Sequence, residues 1–354
     1  MSVHVQGIRG CRRHAAATAI TAWLVCGGVQ AGVPQGPPQA DGPLSTRTIE
    51  FPDLADDARG GRRVPIKVHL PSWTGPFPVV VLSHGAGGNW DSNFAQARHL
   101  ASHGYVVLAL EHVASNTERM RRSMRFGANL KAMTRDASEV LGRPRDVTFA
   151  LDQAARWNAS HGELAGTLDL SRVAVMGHSF GAYTALVACG ARPALDWLVP
   201  RVEPGQGLGP ELRDARVKAC VALSPQGPGE PFFRDDSFAS IDRPVLGISG
   251  SRDEQQGASP ENRRRCFELL PPGTKVLVWI ANADHMAFSD PTGSRRVSLP
   301  SRSRAEVQPI ARAATLLFLE AQLRGDAEAD ARLSVRTLQG LARGSASQVE
   351  VLRK

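Results

Sequence analysis

Several things are scarce in this chain of 354 residues, and each scarcity closes off a class. Aromatic residues make up 6%, with only 2 Tyr, and no basic run is interleaved with aromatics, so nucleic acid is not an expected partner. Beyond the N-terminus no apolar stretch is long enough for a membrane helix, which leaves no expectation of stable membrane insertion. No internal repeat is found, which argues against a solenoid or a propeller. No cofactor and no metal site is expected. The first 31 residues hold no Asp or Glu but carry Arg9, Arg12 and Arg13. The apolar Ala15–Val25 segment follows, then small residues at Val29-Gln30-Ala31, the pattern of an export signal cleaved after Ala31. Val25 before Cys26 does not suit a lipoprotein signal. Cleavage would lower the formal charge of +8 to +5 and direct the protein to the periplasm or the exterior.

Cysteine is also sparse. Of five, Cys11 and Cys26 leave with the signal, and Cys189, Cys220 and Cys266 remain. Three thiols in an oxidising compartment permit one bridge, and Cys189 with Cys220 is the preferred pair. The alternative is three reduced, buried thiols.

What is present divides into four segments: the signal (1–31), a Pro/Gly-rich leader (32–44), a catalytic domain (45–325) and a C-terminal tail (326–354) that packs on or extends the domain. Short apolar strands are expected at Thr46–Phe51, Arg63–Leu70, Pro78–Ser83, Tyr105–Leu110, Val173–Met176, Val217–Leu223, Pro244–Ser249 and Lys275–Ile280. Helical patterns are expected at Phe94–Ser102, Arg145–Trp157, Phe180–Cys189 and Ile310–Leu323. Strands alternating with helices imply an α/β fold, a mostly parallel sheet covered on both faces.

The central feature is Gly177-His178-Ser179-Phe180-Gly181, set between the strand ending at Met176 and the helix from Phe180. A serine on a sharp strand-to-helix turn presents its hydroxyl above the sheet, and glycines on either side make room for the turn. In this arrangement an acid and then a histidine follow the serine. His285 is the sole histidine C-terminal to Ser179, in a loop after the Lys275–Ile280 strand. His178 is read as a packing residue under the turn. Asp253, on the turn leaving Pro244–Ser249, is the expected acid, with Glu254 as the alternative; Asp284 adjoins His285 too closely to reach its far nitrogen. Activity should then rise with pH near a histidine-like value. Backbone N–H groups of Phe180 and Ala86 are the expected oxyanion donors, with Gly87 next after Ala86. His84 is read as structural. Trp90, His112, Gln226, Phe232 and Phe233 follow strand ends and are expected to line the substrate pocket. The basic segment 118–145 is read as a solvated helix face near the rim.

These residues resemble the α/β-hydrolase superfamily, in its dienelactone-hydrolase-like and platelet-activating-factor-acetylhydrolase-like serine esterase branch. The matching stretches are Leu82-Ser83-His84-Gly85-Ala86-Gly87-Gly88, Leu100–Val107, Arg143-Pro144-Arg145-Asp146-Val147, Gly177–Leu186 and Asp284–Asp290. Serine stands where true dienelactone hydrolases use cysteine, so that activity does not carry over. The resemblance implies an α/β-hydrolase fold and an exported serine hydrolase that cleaves a small-molecule or oligomeric carboxylic ester through an acyl-enzyme. The alternatives are a peptidase or amidase on the same scaffold, for which no large cap is evident, and an inactive binding protein of this fold.

Overall fold

A computed structural model describes residues 36–122, 124–255, 257–291, 300–344 and 348–354. The expected signal segment, 1–31, lies outside these residues.

Eleven strands are formed among the described residues: β1 (Thr46–Phe51), β2 (Ala55–Asp56), β3 (Arg62–Arg63), β4 (Ile66–Pro71), β5 (Phe77–Ser83), β6 (Val106–Leu110), β7 (Leu168–His178), β8 (Val217–Leu223), β9 (Val245–Arg252), β10 (Lys275–Asp284) and β11 (Val349–Arg353). Nine of them make one sheet in the order β1-β4-β6-β5-β7-β8-β9-β10-β11. The six strands from β6 to β10 in that order run parallel, while β1, β4 and β11 are antiparallel to their neighbours. β5 and β6 are buried along their whole length because helices cover both faces, which is why they read as unbroken apolar runs.

The helices are α1 (Phe94–Ser102), α2 (Thr117–Arg121), α3 (Phe126–Arg135), α4 (Ala137–Ser160), α5 (Phe180–Ala188), α6 (Pro260–Leu269), α7 (Arg304–Arg324), α8 (Ala327–Arg332) and α9 (Val335–Gln339). Apolar side chains of α4, α5 and α6 build the core on one face of the sheet, and those of α1 and α7 build the other.

α4 begins eight residues before the expected Arg145 start. Asp136 caps it by accepting from the N–H groups of Ser138 and Glu139, and Pro144 is carried inside the helix. α7 likewise starts at Arg304 and carries Pro309. Both helices accommodate a proline that in sequence marks a helix boundary.

Within the leader, the Gly42 N–H donates to Ser102 Oγ (2.7 Å) and the Leu44 N–H to the Ser102 carbonyl (3.2 Å), which ties these residues to the end of α1. The tail adds α8, α9 and the edge strand β11. Cys189, just after α5, is disulfide-bonded to Cys220 in β8, and Cys266 is free and buried.

Candidate active site

β7 and α5 meet at Ser179, whose backbone has φ 56° and ψ −117°. Left-handed φ is costly for a residue with a Cβ, so the turn must be held from outside. The Ser179 N–H donates to the Leu223 carbonyl (2.9 Å), and its own carbonyl accepts from Ala182 and Tyr183. The flanking glycines are steric necessities. A Cβ on Gly177 would lie 2.2 Å from the Gly181 carbonyl oxygen, and one on Gly181 would lie 1.9 Å from that of Ser83.

His285 comes from the loop after β10, and its Nε2 is 3.0 Å from Ser179 Oγ. Its Nδ1 is 2.8 Å from Asp253 Oδ1. Asp253 is fully buried after β9 and also accepts from Ser249 Oγ (2.7 Å) and Ser224 Oγ (2.8 Å). Glu254 is exposed. Asp284 is occupied in shaping the loop: it accepts from the Met286 N–H and from the hydroxyls of Ser301 and Ser303. His178 Nε2 donates to the His285 carbonyl (2.8 Å), and burial pulls its ring down to about 3, so it is a neutral prop for the loop.

Behind this row lies Arg263 of α6, also buried, with Nε 3.3 Å from Asp253 Oδ1 and Nη2 3.3 Å from His285 Nδ1. Burial alone would raise the Asp253 carboxyl. Arg263, together with the His285 and Ser249 hydrogen bonds, outweighs that and holds it well below the ordinary carboxylate range. His285 is lowered from its ordinary value, mainly by burial, against the opposing pull of Asp253. A hydroxyl, a largely neutral imidazole and an ionised carboxylate thus stand in line. This arrangement can take a proton from the hydroxyl and stabilise the cation that results.

Above Ser179 is an open cleft of about 70 Å³. Ala86 and Gly87 line it on one side. The Gly87 N–H donates to the Ser115 carbonyl (2.8 Å) and the Gly88 N–H to that of Gly85 (3.0 Å), which favours Ala86 over Gly87 as a free donor. Phe180, as the first residue of α5, has no carbonyl four residues back within the helix to bind its N–H.

Of the residues expected to line the pocket, Gln226 does so. The others do not. Trp90 packs against the α1/α7 core beneath the Lys67 ammonium (5.0 Å). His112 is fully buried between Ser83 Oγ and Asp146 Oδ2, at 2.8 Å from each. Phe232 and Phe233 turn inward because Phe180 and Tyr183 offer aromatic faces there. Phe232 stacks on both, at 4.8 and 4.5 Å between centroids. The walls come instead from the 118–145 segment, through Met120, Phe126, Leu130 and Thr134, and on the other side from Gln255, Ser289 and Asp290. Arg121 and Arg122 are exposed, but Arg119 is half-buried and donates to Asn129 Oδ1 (2.9 Å), so a solvated face describes only part of this segment. The signal passed over was the i, i+4, i+8 spacing of Phe126, Leu130 and Thr134, one stripe of a helix. Among the described residues no group of three or more His, Cys, Asp or Glu is placed to hold a metal ion.

A family model described as "Alpha/beta hydrolase family" matches residues 80–352. The chain belongs to the alpha/beta hydrolase family. Relatives of this family member include platelet-activating factor acetylhydrolase of Cavia porcellus, 30% identical over 176 residues, covering 40% of each chain. Cutinase est1 of Thermobifida alba is 27% identical over 247 residues, covering 70% of this chain and 64% of that one. Platelet-activating factor acetylhydrolase of Bos taurus is 23% identical over 256 residues, covering 60% of this chain and 48% of that one. The family member therefore spans about two fifths to two thirds of the length of these relatives.

Proposed function

We propose that the protein is an exported serine hydrolase that cleaves carboxylic esters through an acyl-enzyme. The observation that carries this reading is the unbroken run of contacts from Ser179 Oγ through His285 to Asp253 at the foot of an open cleft. Ser179 Oγ attacks the ester carbonyl carbon while His285 Nε2 takes its proton. The carbonyl electrons move onto oxygen, which accepts from the Ala86 and Phe180 N–H groups. The oxyanion collapses, the C–O bond to the alcohol breaks, and the alcohol leaves with the proton from His285. Water, deprotonated by His285, repeats the sequence on the acyl group and restores Ser179.

The relatives named as cutinases and as platelet-activating factor acetylhydrolases support an ester over an amide substrate. The small volume of the cleft favours a short acyl group. The Arg9–Ala31 pattern and the Cys189–Cys220 bridge support an oxidising compartment, with a mature chain starting near Gly32.

The test is a panel of p-nitrophenyl esters and aminoacyl anilides with wild type and Ser179→Ala. Ester hydrolysis is expected in wild type, falling by about 10³-fold or more in the variant, and a fluorophosphonate should label wild type alone. A folded Ser179→Ala that keeps its activity would overturn the assignment, and turnover of anilides alone would shift it to an amidase.

A further inference from the structure

Arg143 in α4 has no exposed surface, and a buried guanidinium is costly unless its N–H groups are used. Its partners all belong to the loops under the cleft. Nη1 donates to the His84 carbonyl (2.7 Å), and Nε and Nη2 donate to Ser115 Oγ (3.1 and 2.8 Å). The Ser115 hydroxyl in turn donates to Glu139, which pairs with Arg143 at 3.7 Å. The Ser115 carbonyl holds the Gly87 N–H. Ala86 is therefore gripped on both sides, through the carbonyl two residues before it and the amide one residue after it. The Cζ of the same guanidinium lies over the Phe180 ring, 3.9 Å from its centre.

Ala86 and Phe180 belong to different segments, the loop after β5 and the start of α5, so no local backbone geometry sets the distance between their N–H groups. An oxyanion needs both within about 2.7–3.1 Å. We propose that Arg143 is the positioning residue that sets these two donors relative to each other, an inference that rests on the serine-esterase reading above. Arginine suits the task because its edge binds the carbonyl and hydroxyl while its face covers the ring, which an ammonium cannot do. Burial pulls Arg143 down to about 10, with Glu139 and Asp146 opposing, so it stays charged at neutral pH.

Two variants test this. Arg143→Lys keeps a cation beside Glu139 but loses the flat face and the second edge. Ser115→Ala removes only the hydroxyl that anchors the guanidinium. In Arg143→Lys, kcat should fall about 10- to 100-fold with KM changed less than about threefold; in Ser115→Ala the loss should follow the same pattern but be smaller. Affinity for a trifluoromethyl ketone, whose serine adduct carries the oxyanion, should drop by the same factor as kcat/KM. The acid limb of the pH profile should not move, because Arg143 does not touch His285. The inference is overturned if both folded variants keep wild-type kcat, if kcat falls while ketone affinity holds, or if the acid limb moves. A wild type that neither hydrolyses esters nor binds the ketone would instead overturn the serine-esterase reading, and this inference with it.

Discussion

The imidazole of His285 is pulled two ways. Burial and Arg263 disfavour its charged form, Asp253 and Asp284 favour it, and His178 beside it is neutral; the balance lies below the ordinary histidine value. A base must be neutral to accept a proton, so kcat/KM should rise with pH along a limb centred below that value. The histidine-like midpoint expected from sequence is shifted mainly because the ring is buried, and Arg263, 22 residues away in the chain and packed against the ring, adds to that shift. Arg263→Gln removes that cation, and the limb should move to higher pH; a limb that stays in place in a folded variant would show that burial alone sets it. Asp253→Asn should leave the fold intact but favour the wrong tautomer of His285, lowering hydrolysis at neutral pH by about 10³- to 10⁴-fold. Glu254→Gln, on an exposed side chain, should cost less than about twofold. The opposite outcome would move the acid by one residue.

At the scale of elements, α5 starts at Phe180, the donor to the oxyanion in the proposed mechanism, and just past its end carries a disulfide to β8 across 31 residues. Closing a loop of that length removes unfolded-state entropy worth about 3–4 kcal/mol in the chain-entropy account. Cys189→Ser with Cys220→Ser should therefore lower the thermal unfolding midpoint by several degrees while leaving kcat nearly unchanged. Equal midpoints with and without reductant would count against the bridge. In α3, Leu130 and Phe126 present one helical stripe to the cleft. Leu130→Ala should raise kcat/KM for longer acyl esters relative to acetyl esters, and Leu130→Trp should do the reverse. A chain-length profile unchanged in both would place the acyl group elsewhere.

Across the whole molecule, buried histidines couple folding to pH. Burial lowers His69 to about 4, and His99 and His178 to about 3, against 6.5 when unfolded. Below about 6.5 the unfolded chain binds protons that the folded chain refuses. Stability should thus fall as pH drops, by about 1.4 kcal/mol per pH unit for each such group, and before the carboxylates protonate. Thermal unfolding midpoints from pH 7 to 4.5 check this, and a flat curve down to pH 4.5 would contradict it. Much of this molecule is determined by local sequence. Apolar runs specify the parallel strands, two glycines two residues either side of Ser179 specify the sharp turn, chain order points to His285, which lies against Ser179, and the turn after the Pro244–Ser249 strand points to Asp253, with Glu254 as the alternative; Asp253 is the one that meets His285. These features are legible because each depends on a few consecutive residues or on loops leaving strand ends. Only the tertiary structure decided which side chains wall the cleft and which charges lie behind it. Phe232 turns inward because Phe180 and Tyr183 offer it a face, and Arg143 reaches the His84 carbonyl 59 residues away. Such choices depend on what packs opposite, and a side chain leaving a strand end carries no local mark of whether it will meet solvent, substrate or another ring.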